Sequence, residues 1–184
     1  MEILAQIASF AAAAFNIVSY QMKDNRRLFL SKGISGALFA VSFFLFGNYT
    51  AAVLNLVNLL RGSVLAGGER WHKWPWLLLT QALYIGGCVL TFGKSEVLFG
   101  GAVFAMVLSL VTTASQLIET QILWGRNGKH IRLAQISFIS PIWLFTNIVT
   151  GSIGGVITEI FGMTSVVISL VRYGLNGFEV QEKK

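Results

Sequence analysis

The sequence predicts an all-α integral membrane protein, with seven transmembrane helices arranged as two parallel three-helix bundles joined by an inverting helix. Three observations predict it. The 184 residues are 54% hydrophobic and only 12% charged, whereas soluble domains carry about 25% charged residues. The apolar residues gather into runs near the ~20 residues that a helix needs to cross a bilayer. The chain also repeats itself at an offset of 104 positions, which sets Gly47 on Gly151, Asn48 on Ser152, Ala51 on Gly155 and Asn55 on Glu159. Upstream, the same offset sets Phe39 on Trp143 and Phe43 on Asn147. A repeat of that length constrains the fold before any local pattern does.

Taken in order, the candidate spans are roughly 3–21, 29–47, 50–67, 76–92, 97–116, 133–150 and 153–173. Gly47 to Thr50 is all that separates the second from the third, and Thr150 to Ser152 all that separates the sixth from the seventh. Such short Gly-containing turns make antiparallel helical hairpins. Spans one and five are each followed by a longer basic loop, so the order is helix, loop, hairpin, one extra helix, then the same again. The units are therefore 1–67 for the first bundle, 68–96 for the linker helix, 97–173 for the second bundle and 174–184 for a polar tail. The fourth span inverts the chain and leaves the two bundles in one orientation. Its start, with Trp71, Trp74 and Trp76 around Pro75, suits an interfacial anchor at a helix N-terminus.

Net charge is +6. In a soluble protein that balance would raise nucleic acid as a partner; here topology accounts for it and no nucleic-acid partner is expected. Lys23, Arg26, Arg27, Lys32, Arg61, Arg70, Lys73, Arg126, Lys129, Arg132, Arg172, Lys183 and Lys184 fall on one side of the seven-span arrangement, and Lys94 alone on the other. The positive-inside rule then places the N-terminus outside and the C-terminus in the cytoplasm. The start, Met1 followed by Glu2, has no basic n-region of the kind a cleaved signal carries. Cys88 is the one cysteine, which excludes an internal disulfide.

Nothing in the sequence predicts an enzyme, a metal or a cofactor. His72 and His130 sit in separate basic loops with no carboxylate partner nearby, and no phosphate-binding loop or nucleophile motif is present. The polar residues inside the spans are more informative. Glu159 is read as the acidic residue deep in a span, where an ionisable group marks a functional site or a hydrogen-bonded structural one. Asn55 and Asn58 share a helix face. Asn16, Asn147 and Trp143 are further candidates, while Arg61 and Arg172 read as anchors that reach back to the interface. Glu159 lies eight residues past Gly151 and Asn55 eight past Gly47, roughly 12 Å along a helix, which is close to the midplane of a ~30 Å core.

The segment Ser19-Tyr20-Gln21-Met22-Lys23-Asp24-Asn25-Arg26-Arg27, the hairpin Phe43 to Gly47 and the run Asn55 to Arg61 resemble the YgjV family of bacterial inner-membrane proteins. That family is similar to the SWEET and SemiSWEET sugar transporters and their PQ-loop relatives. The resemblance implies a three-plus-one-plus-three helix fold with solute bound between the bundles. The site asparagine of those transporters falls on Asn55 or Asn58 and, in the second half, on Glu159. Their site tryptophan falls on Phe39 or Phe43, and on Trp143 or Asn147. The Pro-Gln pair of the superfamily is Tyr20-Gln21 here, and Ser115-Gln116 in the second half, so the hinge proline is absent from both.

The function expected is transport or facilitation of a small polar solute by alternating access. Asn55, Asn58, Trp143, Asn147 and Glu159 bind the solute, and Glu159 couples its movement to protons. The expected partners are that solute and the lipid bilayer of the bacterial inner membrane, with a homodimer left open. The rival expectation is a receptor, scaffold or structural subunit on the same fold. An apolar, closed core would favour the rival; a polar cavity reaching Glu159 favours transport.

Overall fold

The computed structural model describes residues 1–19, 25–98, 100–125 and 127–173. Among these the chain is helical almost throughout. The helices are α1 (Glu2–Ser19), α2 (Asn25–Leu45), α3 (Tyr49–Ala66), α4 (Trp74–Thr91), α5 (Gly101–Trp124), α6 (Gly128–Ala134), α7 (Ser140–Thr150) and α8 (Ile153–Tyr173). A π-helical turn, Gln135–Ile139, joins α6 to α7, so the two form one rod and the rods number seven. By length and composition five can cross a membrane: α1, α3, α4, α5 and the joined rod over Lys129–Thr150. The apolar stretches Leu30–Leu45 and Ile153–Ile168 are shorter.

The burial pattern is that of a protein in lipid. Small residues of α1, namely Ala5, Ser9, Ala12 and Ala13, face inward, while Leu4, Ile7 and Phe10 are exposed. Likewise α5 turns Ser109, Thr112 and Gln116 inward and leaves Val103, Val107, Leu110 and Val111 exposed. With no water outside, helices pack through small residues and polar contacts. Gly154 shows how close they come, because a Cβ there would overlap the backbone of Ser9 across the α1–α8 contact.

Neighbours in sequence are mostly neighbours in space: α1 on α2, α2 on α3, α3 on α4, α4 on α5 and α7 on α8. Further contacts close the arrangement: α1 on α8, α5 on α3 and α5 on α7.

The two hairpin turns are built alike. Asn48 N–H donates to the Phe43 carbonyl and Ser152 N–H to the Asn147 carbonyl, both at 2.9 Å. Gly47 N–H donates to Phe44 O, and Gly151 N–H to Ile148 O. Both glycines take a positive φ, 80° and 81°, which closes a helix C-terminus without a Cβ penalty. The next residue caps the following helix in each case: Asn48 Oδ1 accepts from Ala51 N–H, and Ser152 Oγ accepts from Gly155 N–H. All four correspondences keep the 104-residue offset. The tips also touch, with Asn48 Nδ2 donating to Thr150 Oγ1 at 2.9 Å.

Two expectations are corrected. The fifth span runs Gly101–Trp124 rather than 97–116. Gly100 and Gly101 both have positive φ and Leu98 N–H is bound to the Val149 carbonyl, so the helix starts late. It then carries Glu119 and Thr120 inward instead of ending before them. The sixth span begins at Gly128, where Asn127 caps the helix, rather than at 133. The segment 20–24, with Tyr20-Gln21, and the tail 174–184 lie outside the described residues, as does the side chain of Arg172.

Gly154→Ala is expected to destabilise the protein by about 1–3 kcal/mol through overpacking. Gly86→Ala, whose Cβ meets nothing within 4 Å, is the control. A thermal melt of the two purified variants checks this, with a lowered midpoint expected for Gly154→Ala alone.

Candidate functional site

A cavity of about 130 Å³ lies among α1, α2, α3, α5, the π turn, α7 and α8. That is well above the ~10–15 Å³ that admits one water. All five residues singled out from the sequence line it: Asn55, Asn58, Trp143, Asn147 and Glu159. Asn16, Phe39 and Phe43 line it too, so both alternatives for the first-half aromatic position are present. The α4 helix contributes no lining residue, though its Tyr84 hydroxyl donates to Asn58 Oδ1.

Along α3 the lining runs from Asn55 to Leu65, roughly 15 Å at ~1.5 Å per residue. It stops short of the hairpin tips. There Asn48 is bonded to Thr150, and Thr50 gathers a hydroxyl network with Thr91, Ser95 and Ser109. Beneath this layer the rings of Phe43 and Trp143 lie 6.0 Å apart. The cavity is therefore closed at the hairpin end and extends, through Lys32, Leu65 and Leu123, toward the end that bears the basic loops.

Inside the cavity Arg61 does not behave as an anchor. It is 9% exposed, and its Nη1 lies 3.0 Å from Glu119 Oε2 and 3.1 Å from Thr120 Oγ1. Glu119 Oε2 also accepts from Gln116 Nε2 at 3.0 Å. Glu159 is thus not the only acidic side chain deep in a span, and cations do reach the cavity, where Lys32 and Arg61 both stand. Reading the fifth span as ended at 116 hid Glu119. A wider window for α5 would have found it, because Gln116, Glu119 and Thr120 share one face at i, i+3 and i+4.

The hydrogen bonds have a direction. Asn55 Nδ2 donates to the Ala51 carbonyl and Asn147 Nδ2 to the Trp143 carbonyl, each one turn back. Ser35 donates to Ala12 O, and Thr158 to Gly154 O. Gln135 Nε2 donates to Ser140 Oγ. Among the described residues, Asn16 Oδ1, Gln116 Oε1 and Asn147 Oδ1 are buried with no hydrogen-bond partner, and all three residues line the cavity. No group of three or more metal-ligating side chains occurs among the described residues.

Comparison with known proteins gives two findings. The sequence model of Imp-YgjV, a family described as "Bacterial inner membrane protein", matches residues 3–176. The chain is 25% identical over 187 residues to "Inner membrane protein YgjV" of Escherichia coli (strain K12), covering 97% of this chain and 92% of that one. No solved structure matches.

Removing one member of the Arg61–Glu119 pair strands the other in a low-dielectric site. Glu119→Leu is expected to destabilise the protein by about 3–5 kcal/mol, and the double variant Arg61→Met with Glu119→Leu to recover much of that loss. Unfolding of the three proteins in one detergent measures it.

Proposed function

We propose that this chain, which belongs to the Imp-YgjV family of bacterial inner membrane proteins, carries a small polar solute across that membrane by alternating access. The observation that carries the reading is the polar cavity at mid-depth, closed at the hairpin end and lined by helices from both ends of the chain. A receptor or structural subunit needs no such chamber.

In this reading residues 1–67 and 97–173 are two parallel three-helix bundles and 68–96 the linker, a SWEET-like three-plus-one-plus-three arrangement. Two facts support it. The hairpin turns repeat bond for bond at the 104-residue offset. The α1–α8 and α5–α3 contacts exchange with one another under the same offset, as a two-fold axis along the membrane normal requires. The N-terminus is then outside, in line with the basic residues. The conformation described here is closed outward, by the Asn48–Thr150 bond and the Thr50 network, and the basic-loop end faces the cytoplasm. Rocking one bundle on the other would break the tip contacts and expose the same site from outside.

Asn55, Asn58, Trp143 and Asn147 line the solute site. Glu159 is the proton-coupling group: a carboxylate at this depth costs about 2.5–3.5 kcal/mol against lipid, so its charge is tied to what occupies the cavity. The ionisable groups that share the cavity with it are Lys32 from α2, Arg61 from α3 and Glu119 from α5.

Two outcomes follow. Flux through Glu159→Gln in proteoliposomes is expected to lose the pH dependence of the wild type; an unchanged rate and profile would refute the coupling role. In a Cys88→Ala background, Asn48→Cys and Thr150→Cys bridged by a short bifunctional thiol reagent should abolish flux, whereas either single cysteine treated alike should not. Full flux with the bridge in place would refute alternating access.

A further inference from the structure

The segment that joins α4 to α5 lies across the hairpin end and is bonded to both hairpins. Helix ends leave main-chain groups without partners in their own helix, and this segment supplies some of them. At the first turn Glu96 N–H donates to Gly47 O at 2.9 Å, and Ser95 Oγ accepts from Thr50 N–H at 2.9 Å. At the second turn Leu98 N–H donates to Val149 O at 2.8 Å. Val149 is fully buried, so its carbonyl depends on that donor. The far side of the second turn is held by Gln6 of α1, which donates to Gly151 O and accepts from Ile153 N–H.

The side chains of the segment bear on the same two turns. A Cβ on Gly47 would stand 3.2 Å from the Glu96 carboxylate, and one on Gly151 would stand 3.1 Å from Leu98 Cδ1. Gly47 and Gly151 are equivalent positions of the repeat, so two residues of one segment seat on matching points of the two hairpins. The main-chain nitrogens of Glu96 and Leu98, two residues apart, are separated by at most about 7 Å. A spacer that short cannot follow two tips that part while it holds both.

We infer that residues 95–98 form a strap that locks the hairpin end shut. One of its two holds, Glu96 on Gly47 or Leu98 on Val149, is released whenever that end opens. The strap acts beside the Asn48–Thr150 bond, which joins the tips directly. The strap stands on these bonds alone; its role as part of an outward gate rests on the transport reading.

The experiment uses the full-length Cys88→Ala protein in lipid, spin-labelled at Tyr49→Cys and Ile153→Cys, with the tip separation read by pulsed electron resonance. Two glycines inserted between Val97 and Leu98 lengthen the strap by up to about 7 Å and remove no donor. The same two glycines inserted between Lys94 and Ser95 lengthen the loop outside the strap. The first insertion is expected to raise the population of the longer tip distance at least about fivefold, the factor carried by the net contribution of one hydrogen bond. The second is expected to leave it unchanged. Leu98→Pro, which deletes the donor to Val149, should act like the first insertion; if it fails to fold, the paired insertions decide. Equal effects of the two insertions, or no change from either, overturn the strap. A second label pair on Ser63 and His130, at the basic-loop end, separates this inference from the transport reading. Tips freed by the first insertion while the basic-loop pair keeps one distance uphold the strap and sink alternating access. Ends that exchange distances in the parent protein, with tips indifferent to both insertions, uphold alternating access and sink the strap.

Discussion

Inside a bilayer a polar group has only protein to bond to, and much of this structure follows from that constraint. Thr80, Thr112, Thr113, Thr120, Thr146 and Thr158 each donate to a carbonyl one turn back in their own helix. Asn55 and Asn147 do the same with their amide nitrogens. Other side chains donate across helices, as Ser35 does to Ala12 O, Ser42 to Ala5 O and Gln81 to Leu117 O. The amide oxygen of Asn58 finds its partner in Tyr84, while Asn147 Oδ1 stands against Gly155 of α8, where a Cβ would overlap it.

The same constraint explains why the ion pair sits where it does. Arg61 and Glu119 come from helices that meet only through the α3–α5 contact, and each would be costly alone. Together with Gln116 and Thr120 they form a polar clasp on the cytoplasmic half of the cavity, in the proposed orientation. The hairpin tips form a second clasp on the opposite half. One is ionic and the other is made of neutral hydroxyl and amide bonds.

Much of this was legible in the sequence because it is local. Gly47 and Gly151 close turns within a few residues, and apolar runs announce their own length. The five residues singled out, which line the cavity, were picked by depth, by repeat offset, by a shared helix face and by the family resemblance, none of which needs knowledge of packing. What escaped is long-range or depends on helix limits. The Arg61–Glu119 pair joins residues 58 apart, and nothing near Arg61 in the chain points to its partner. The π turn at Gln135–Ile139 leaves no pattern of its own, although Pro141 just beyond it removes a backbone donor and loosens that part of the rod. Tyr84, fully buried in α4, shows that α4 also supports the cavity wall, through Asn58.

The central claim is that the two ends of the cavity open in turn. Pulsed electron resonance between spin-label pairs in lipid tests it most directly. One pair would sit at the hairpin end, on Tyr49 and Ile153, and the other at the basic-loop end, on the exposed Ser63 and His130. The account predicts two distances for each pair with opposite populations, so that conditions which lengthen one shorten the other. A single distance at both ends, unmoved by pH or by solute, would contradict it.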